Sequence, residues 1–542
     1  MPSPRVVAIG LDGVEVTFIE RLFAAGEMPA LAAFRQRSAR FLLDHDAAQR
    51  TGLAWEHVAS GLAPESGRRW TAVEFDPLTY RVWQEGARFA PWWATVDRRV
   101  TVFDAPYVDL RRAPNTRGIV AWGAHDPGTA IAARPRPLLR EFLRRYGAYP
   151  AEWTYGTPWP SPRRTREMGT ALARALDTRT HAARWLAAER LRDWDFFFAV
   201  AGEVHGTVEG LWHGIDPAHP LYKHPSAQAA ADGLLQVHRR LDQFVAEIVR
   251  CAGDAALVAF TMGGMGPNHS DTQSMVLLPE LLFRHAFGRP RLAVPREWTA
   301  SPAEVPILAE DDDWGTANAR WVPANAPSSN RVSGAVRTFL RARPMLKATL
   351  SALRSPVRRR RLTRSAAHDL QWQPATRYDA YWPRMEAFAL PSFYDGRIRI
   401  NLKGRERHGL VEPSRYEALC RTLVTLLHEC RNPLTGEAAV ESVDRAATRD
   451  PMELGTSESD LIVVWRGVAT ALEHPRLGLI GPVALRRTGG HTGPHGVAYI
   501  AAPALAVGDY GVRSSFDVAP TIVELLGCGP MTGMSGRSLL HR

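Results

Sequence analysis

Short apolar runs, each stopped by glycine or a polar residue, organise this chain. The run RVVAIGLDG (5–13) ends in Gly-Leu-Asp-Gly. A continuous apolar run of this length predicts a strand buried on both faces of a parallel sheet, with Asp12 at its carboxyl end. The segment Val16–Gln36 then reads as helical. DFFFAVAGE (195–203) and AALVAFTMGG (255–264) repeat the strand pattern, and SDLIVVWRG (459–467) and VAYIAAPAL (497–505) are later runs of the same type. Strands alternating with helices predict an α/β fold, a mainly parallel sheet sandwiched between helices. Ligands in such sheets bind at the carboxyl ends of the strands, where Asp12, Glu203 and Thr261–Gly264 fall.

The middle of the chain breaks this pattern. Residues 285–380 are rich in Pro, Arg, Ser and Ala and include the cluster Arg358, Arg359, Arg360, Arg361 and Arg364. That cluster reads as a solvated loop, with a contact for an acidic partner or substrate as the alternative. FALPSFYDGRIRINLKGRERHG (388–409) alternates as a strand pair. The expected organisation is a core built from 1–284 and 456–542, with 285–455 an inserted accessory region carrying the Arg-rich loop.

The net charge of +11 suits a small anionic substrate. No helix-turn-helix, RNA-recognition or zinc-finger pattern accompanies it, so no nucleic-acid partner is expected. Cys251, Cys420, Cys430 and Cys528 are scattered with no CxxC pair, which excludes a zinc ribbon or a disulfide scaffold. The N-terminus does not read as a signal peptide, and no apolar run is long enough to span a bilayer. The expectation is a cytoplasmic protein with no membrane association.

Candidate chemistry concentrates in GEVHGTVEGLWH (202–213). On a helix, His205 and Glu209 share a face, and an imidazole beside a carboxylate is a ligand pair for a divalent ion. A surface pair is the bland alternative. Glu203, at the strand end, is a candidate ligand or general base. His213 reads as the polar edge beside Trp212 or as support for a ligand. Thr51, in QRTGLAWEHVASGLAPESG (49–67), sits before a helix-like segment, where it reads as an N-cap or as an activated hydroxyl.

Taken together and in order, these pieces resemble the alkaline phosphatase superfamily, most closely its type I phosphodiesterase/nucleotide pyrophosphatase branch. The resemblance is carried by IGLDGVEVTFIERLFAAGEMPALAAF, TGLAWEHVASGLAPES, GLWHGIDPAHPLY, GGHTGPHG and FDVAPTIVELLG. It implies an alkaline-phosphatase-like fold and a two-metal site, with Thr51 as nucleophile, Asp12 positioning it or binding metal, and His491 as the late metal histidine. The branch's Asp-x-x-x-His pair lines up with His205-Gly-Thr-Val-Glu209, so the two ligand types are exchanged. Its Asp-His-Gly-Met segment lines up with Met262-Gly263-Gly264-Met265, and neither a thioether nor a glycine replaces a carboxylate and an imidazole. His269 and Asp271 are the nearby substitutes, or an ordinary polar loop.

The implied metal set is therefore Asp12, His205, Glu209 and His491, holding one divalent cation, zinc or alternatively manganese. Thr51, Asp12 and Glu203 are the expected catalytic residues, and Arg50 the substrate-binding charge. Three functions follow: a metal-dependent hydrolase or transferase of phosphate or sulfate esters; a biosynthetic enzyme of altered chemistry; or a non-catalytic binding protein. Weak or absent turnover of simple phosphate esters is expected, because the second metal set is missing.

Overall fold

The computed structural model describes residues 4–124, 130–156, 161–310, 312–323, 367–368, 370 and 372–541. The Arg-rich cluster 358–364 lies outside them. The central sheet has nine strands, in the order Gly508–Ser514, Ala39–Asp44, Gly496–Ala501, Ala256–Thr261, Val6–Leu11, Phe196–Ala201, Val100–Phe103, Thr116–Val120 and Ala132–Arg134. Gly496–Ala501 runs antiparallel to both neighbours, and Ala132–Arg134 is antiparallel to Thr116–Val120. All other pairings are parallel. The expected mainly parallel sheet between helices is present, with the run at 497–505 reversed within it.

Alternation along the first strand assigns the two helical layers. Val7, Ile9 and Leu11 join an apolar cluster with Leu172, Leu176, Leu241 and Val245, from the helices Pro162–Arg184 and Ala227–Ala252. Val6 and Ala8 join another, with Val58 and Ile522 from Ala54–Ser60 and Val518–Leu525. Every residue of Val6–Leu11 and of Phe196–Ala201 is buried, which is why these strands read as unbroken apolar runs rather than alternating ones.

A four-stranded antiparallel sheet lies apart from the central one, in the order Ala387–Leu390, Gly396–Ile400, Leu461–Trp465, Val440–Arg445. The run at 459–467, read as a strand of the main sheet's type, belongs here. The apolar cluster around this sheet reaches beyond 285–455, taking in Met275–Phe283 on one side and Leu472–Leu485 on the other. A separate two-stranded antiparallel ribbon pairs Gly264–Pro267 with Gly489–Gly493, and the second strand carries His491. Among the described residues, no helix is long and apolar enough to cross a membrane.

Candidate metal centre and its cavity

The site forms where three chain segments leave the sheet. Asp12 follows the strand Val6–Leu11, and its amide donates to the Ala201 carbonyl at 3.2 Å, extending the register to the start of the helix Glu203–Leu211. Gly13 has φ +80°, and a Cβ there would stand 2.3 Å from the His205 Cα. The turn after Asp12 thus requires glycine both for its backbone angle and for the closeness of the helix. That closeness brings Asp12 and His205 into contact.

His205 stands between two carboxylates. Its Nδ1 is 3.1 Å from Asp12 Oδ2 and its Nε2 is 3.0 Å from Glu209 Oε1. The i,i+4 spacing on one helix face produces the second contact. Burial alone would depress the imidazole pKa, but Glu209 and Asp12 override it and push it up to about 10. The His491 ring meets His205 edge-on at 4.8 Å between centroids. Burial, then the nearby His205 charge, pulls His491 down to about 4, so its ring is neutral at pH 7.

One ligand atom from each of His205, Glu209 and His491 lies within 4.8 Å of the other two, and this is the one such group of three among the described residues. Two imidazoles and a carboxylate fit a single zinc-type cation with an open position. Asp12 stands outside the trio. Its carboxylate accepts from His205 and from the Trp55 side chain, contacts that orient the His205 ring.

Asp12, Thr51, His205, Glu209 and His491 line one cavity of about 150 Å³. Thr51 closes the short helix Asp46–Thr51; its hydroxyl donates to the Ala48 carbonyl at 2.7 Å and accepts from the Leu53 amide at 3.1 Å. The next residue, Gly52, has φ +69°, and a Cβ there would fall 2.3 Å from Tyr394 Cε2. Tyr394, between the paired strands Ala387–Leu390 and Gly396–Ile400, packs against Gly52 and contacts the His491 ring at 5.2 Å.

Three expectations are corrected by this geometry. Glu203 lies outside the cavity lining: Arg179 Nε contacts its two oxygens at 2.9 and 2.8 Å, within a fully buried Asp104–Arg179–Glu203 group. The carboxylate is committed to that group and is no general base. Arg50 also lies outside the lining and pairs with Asp444 of the four-stranded sheet at 2.8 Å, tying the Thr51 segment to that sheet. His269 and Asp271 do not rebuild the second metal set. Asp271 is bound to Arg486 at 2.5 Å, and neither residue belongs to a group of three metal-ligating side chains among the described residues. His213 donates to or accepts from Ser226 at 3.0 Å and is likewise outside the cavity lining.

Met262 and Gly263 do line the cavity. The space beside Gly263 is filled by Gln49, whose Nε2 donates to the carbonyls of Gly264, His491 and Gly493 at 3.2, 3.0 and 3.0 Å. A Cβ on Gly263 would meet Gln49 Oε1 at 2.9 Å. The double variant Met262→Asp/Gly263→His is therefore expected to hold no more metal than the parent chain. Adding Gln49→Ala should open room for a second equivalent. Metal content by mass spectrometry decides it: a second equivalent in the double variant would mean that Gln49 yields freely.

Sequence reasoning missed Arg487, which lines the cavity and ion-pairs with Glu209 Oε1. It also missed Gln49, Tyr394 and His45. His45 also lines the cavity and bridges Ser515 and His57, and burial draws its pKa down to about 4. Proximity to GGHTG was the single sequence signal for Arg487, and it specifies no role.

No family model matches the chain, and no curated protein matches it in sequence. Among solved structures, it is similar to phosphonoacetate hydrolase from Sinorhizobium meliloti 1021 in complex with phosphonoformate, at 14% identity over 97% of this chain and 96% of that one, with a TM-score of 0.46. It is also similar to human ectonucleotide pyrophosphatase/phosphodiesterase 5, at 9% identity over 98% and 97% of the two chains (TM-score 0.48), and to the murine protein at 10% over 97% and 96% (TM-score 0.47). At such identities and scores, activity has to be argued from this chain's own residues.

Proposed function

We propose that the chain is a hydrolase or transferase of small phosphate or sulfate esters, with Thr51 as nucleophile and one divalent cation, zinc or manganese, as cofactor. The observation that carries this reading is the compact trio His205, Glu209 and His491 on the wall of a cavity that Thr51 also lines. A cation held there would supply Lewis-acid polarisation of an ester oxygen. Asp12 fixes the ring of His205, and Trp55 fixes Asp12. The Leu53 amide holds the Thr51 oxygen in place. Thr51 Oγ forms the new bond to phosphorus or sulfur as the bond to the leaving oxygen breaks, and the hydroxyl proton ends on the leaving alcohol. Water then splits the threonine ester and returns a proton to Thr51.

A second, metal-free reading has its own observation. Glu209 Oε1 faces both His205 Nε2 and Arg487. With His205 protonated, two cations already balance the carboxylates of Asp12 and Glu209. Cation binding must expel the His205 proton, which Glu209 and Asp12 hold against the effect of burial, so affinity for zinc should rise with pH.

The test joins metal content with turnover of aryl phosphate, phosphodiester and sulfate substrates before and after chelation. About one equivalent of zinc or manganese is expected, with most of it lost in His205→Ala. Turnover is expected to be slow and chelator-sensitive. Turnover that survives chelation would select the metal-free reading. No metal together with no turnover would overturn both, in favour of a binding role.

A further inference from the structure

We propose that Arg487 is the oxyanion-receiving group of this cavity, a fixed guanidinium that supplies the positive charge the missing second metal set cannot. The inference rests on the ester-site reading above. Six charged side chains alternate in sign on the way into the cavity. Arg486 Nη1 binds Asp271 Oδ2 at 2.5 Å, and Asp271 Oδ2 lies 3.9 Å from Arg487 Nε. Arg487 Nη1 pairs with Glu209 Oε1, which is 3.0 Å from His205 Nε2, and His205 Nδ1 is 3.1 Å from Asp12 Oδ2.

Arg487 is the member of this row that brings permanent positive charge to the cavity wall. Arg486 does not line the cavity; it is buried behind Asp271, its guanidinium 5.1 Å from the Trp372 ring centroid. Asp271 therefore has a cation on each side and anchors Arg487 from the rear. Its own loop is held by Asn268 Oδ1, which accepts from the amides of Ser270 and Asp271 at 3.1 and 2.9 Å. A guanidinium held in this way faces the cavity, and its planar fork matches two oxygens of a phosphate or sulfate at once. The same contact makes Arg487 a competitor of any divalent ion for Glu209. Oxyanion and metal are then linked: drawing Arg487 onto a substrate oxygen relaxes its hold on Glu209.

Isothermal titration of the full-length protein with inorganic phosphate and with sulfate, before and after chelation, tests this. Arg487→Met is expected to weaken oxyanion binding at least tenfold and to tighten zinc binding several-fold. Arg487→Lys keeps the charge without the fork and should weaken oxyanion binding by about threefold or more; it carries the test if the methionine variant does not fold. Unchanged oxyanion affinity in a folded Arg487 variant overturns the assignment while leaving the ester reading standing. Absence of phosphate and sulfate binding in the parent chain overturns the ester reading beneath it.

Discussion

Replacing Arg179 with methionine is expected to destabilise the fold by about 3–5 kcal/mol, read as a lower urea midpoint with an unchanged slope. Arg179 is 1% exposed and contacts Glu203 at 2.8 Å, Asp104 at 2.9 Å and the Val200 carbonyl at 3.0 Å. Burial works against its charge, but Glu203 and Asp104 together hold its pKa above that of an ordinary arginine. Asp104 also accepts from the amides of Trp122 and Gly123 at 2.6 and 2.7 Å, so it cannot turn to solvent when its cation is removed. The variant leaves two carboxylates buried without their counter-charge, which is the costly way to break such a group. Glu203→Gln should cost less, since the amide oxygen still accepts from Arg179 and Asp104 still balances it. Because Glu203 lies outside the cavity lining, that variant should leave metal stoichiometry unchanged. A loss below about 1 kcal/mol in Arg179→Met, the scale of a surface pair, would mean that this group does not anchor the helix of the site.

The misassignment of Glu203 illustrates how far sequence reaches here. Its place at a strand end was legible, because the run Phe196–Ala201 is buried throughout and ends in glycine. Its role was not, because that depends on Arg179 and Asp104, which come from separate elements and are brought together by packing alone. The proposed metal trio was legible in part: spacing places His205 and Glu209 on one face, whereas His491 required the resemblance. Arg50 and Arg487 invert the expectation, since the arginine adjacent to Thr51 binds Asp444 and the distant one reaches the cavity. Neither choice has a periodic signature. The run Leu461–Trp465 shows the same limit for the fold, as a short apolar strand does not state which sheet it joins. Its alternating burial reflects a sheet covered by apolar side chains on one face.

Thr51→Ala is expected to lower turnover of any ester the protein accepts by about a thousandfold or more, the scale of losing a nucleophile. The hydroxyl is the atom of this residue that can attack, and the present structure holds it between the Ala48 carbonyl and the Leu53 amide. The first contact orients the proton away from any base, so attack requires the hydroxyl to leave Ala48 while keeping the Leu53 contact. Thr51→Ser retains the oxygen and should stay within about tenfold of the parent, because the nucleophile and both hydrogen-bond roles survive. Thr51→Ala also deprives the Leu53 amide of its partner, at a stability cost of about 1 kcal/mol. Measuring the urea midpoint beside kcat separates that small cost from the catalytic loss. A covalent adduct trapped on the parent chain by acid quench, and missing in Thr51→Ala, would locate the bond. If Thr51→Ala retains a tenth or more of the parental rate, the attacking group is water or another residue, and the cavity performs a different reaction from the one its resemblance implies.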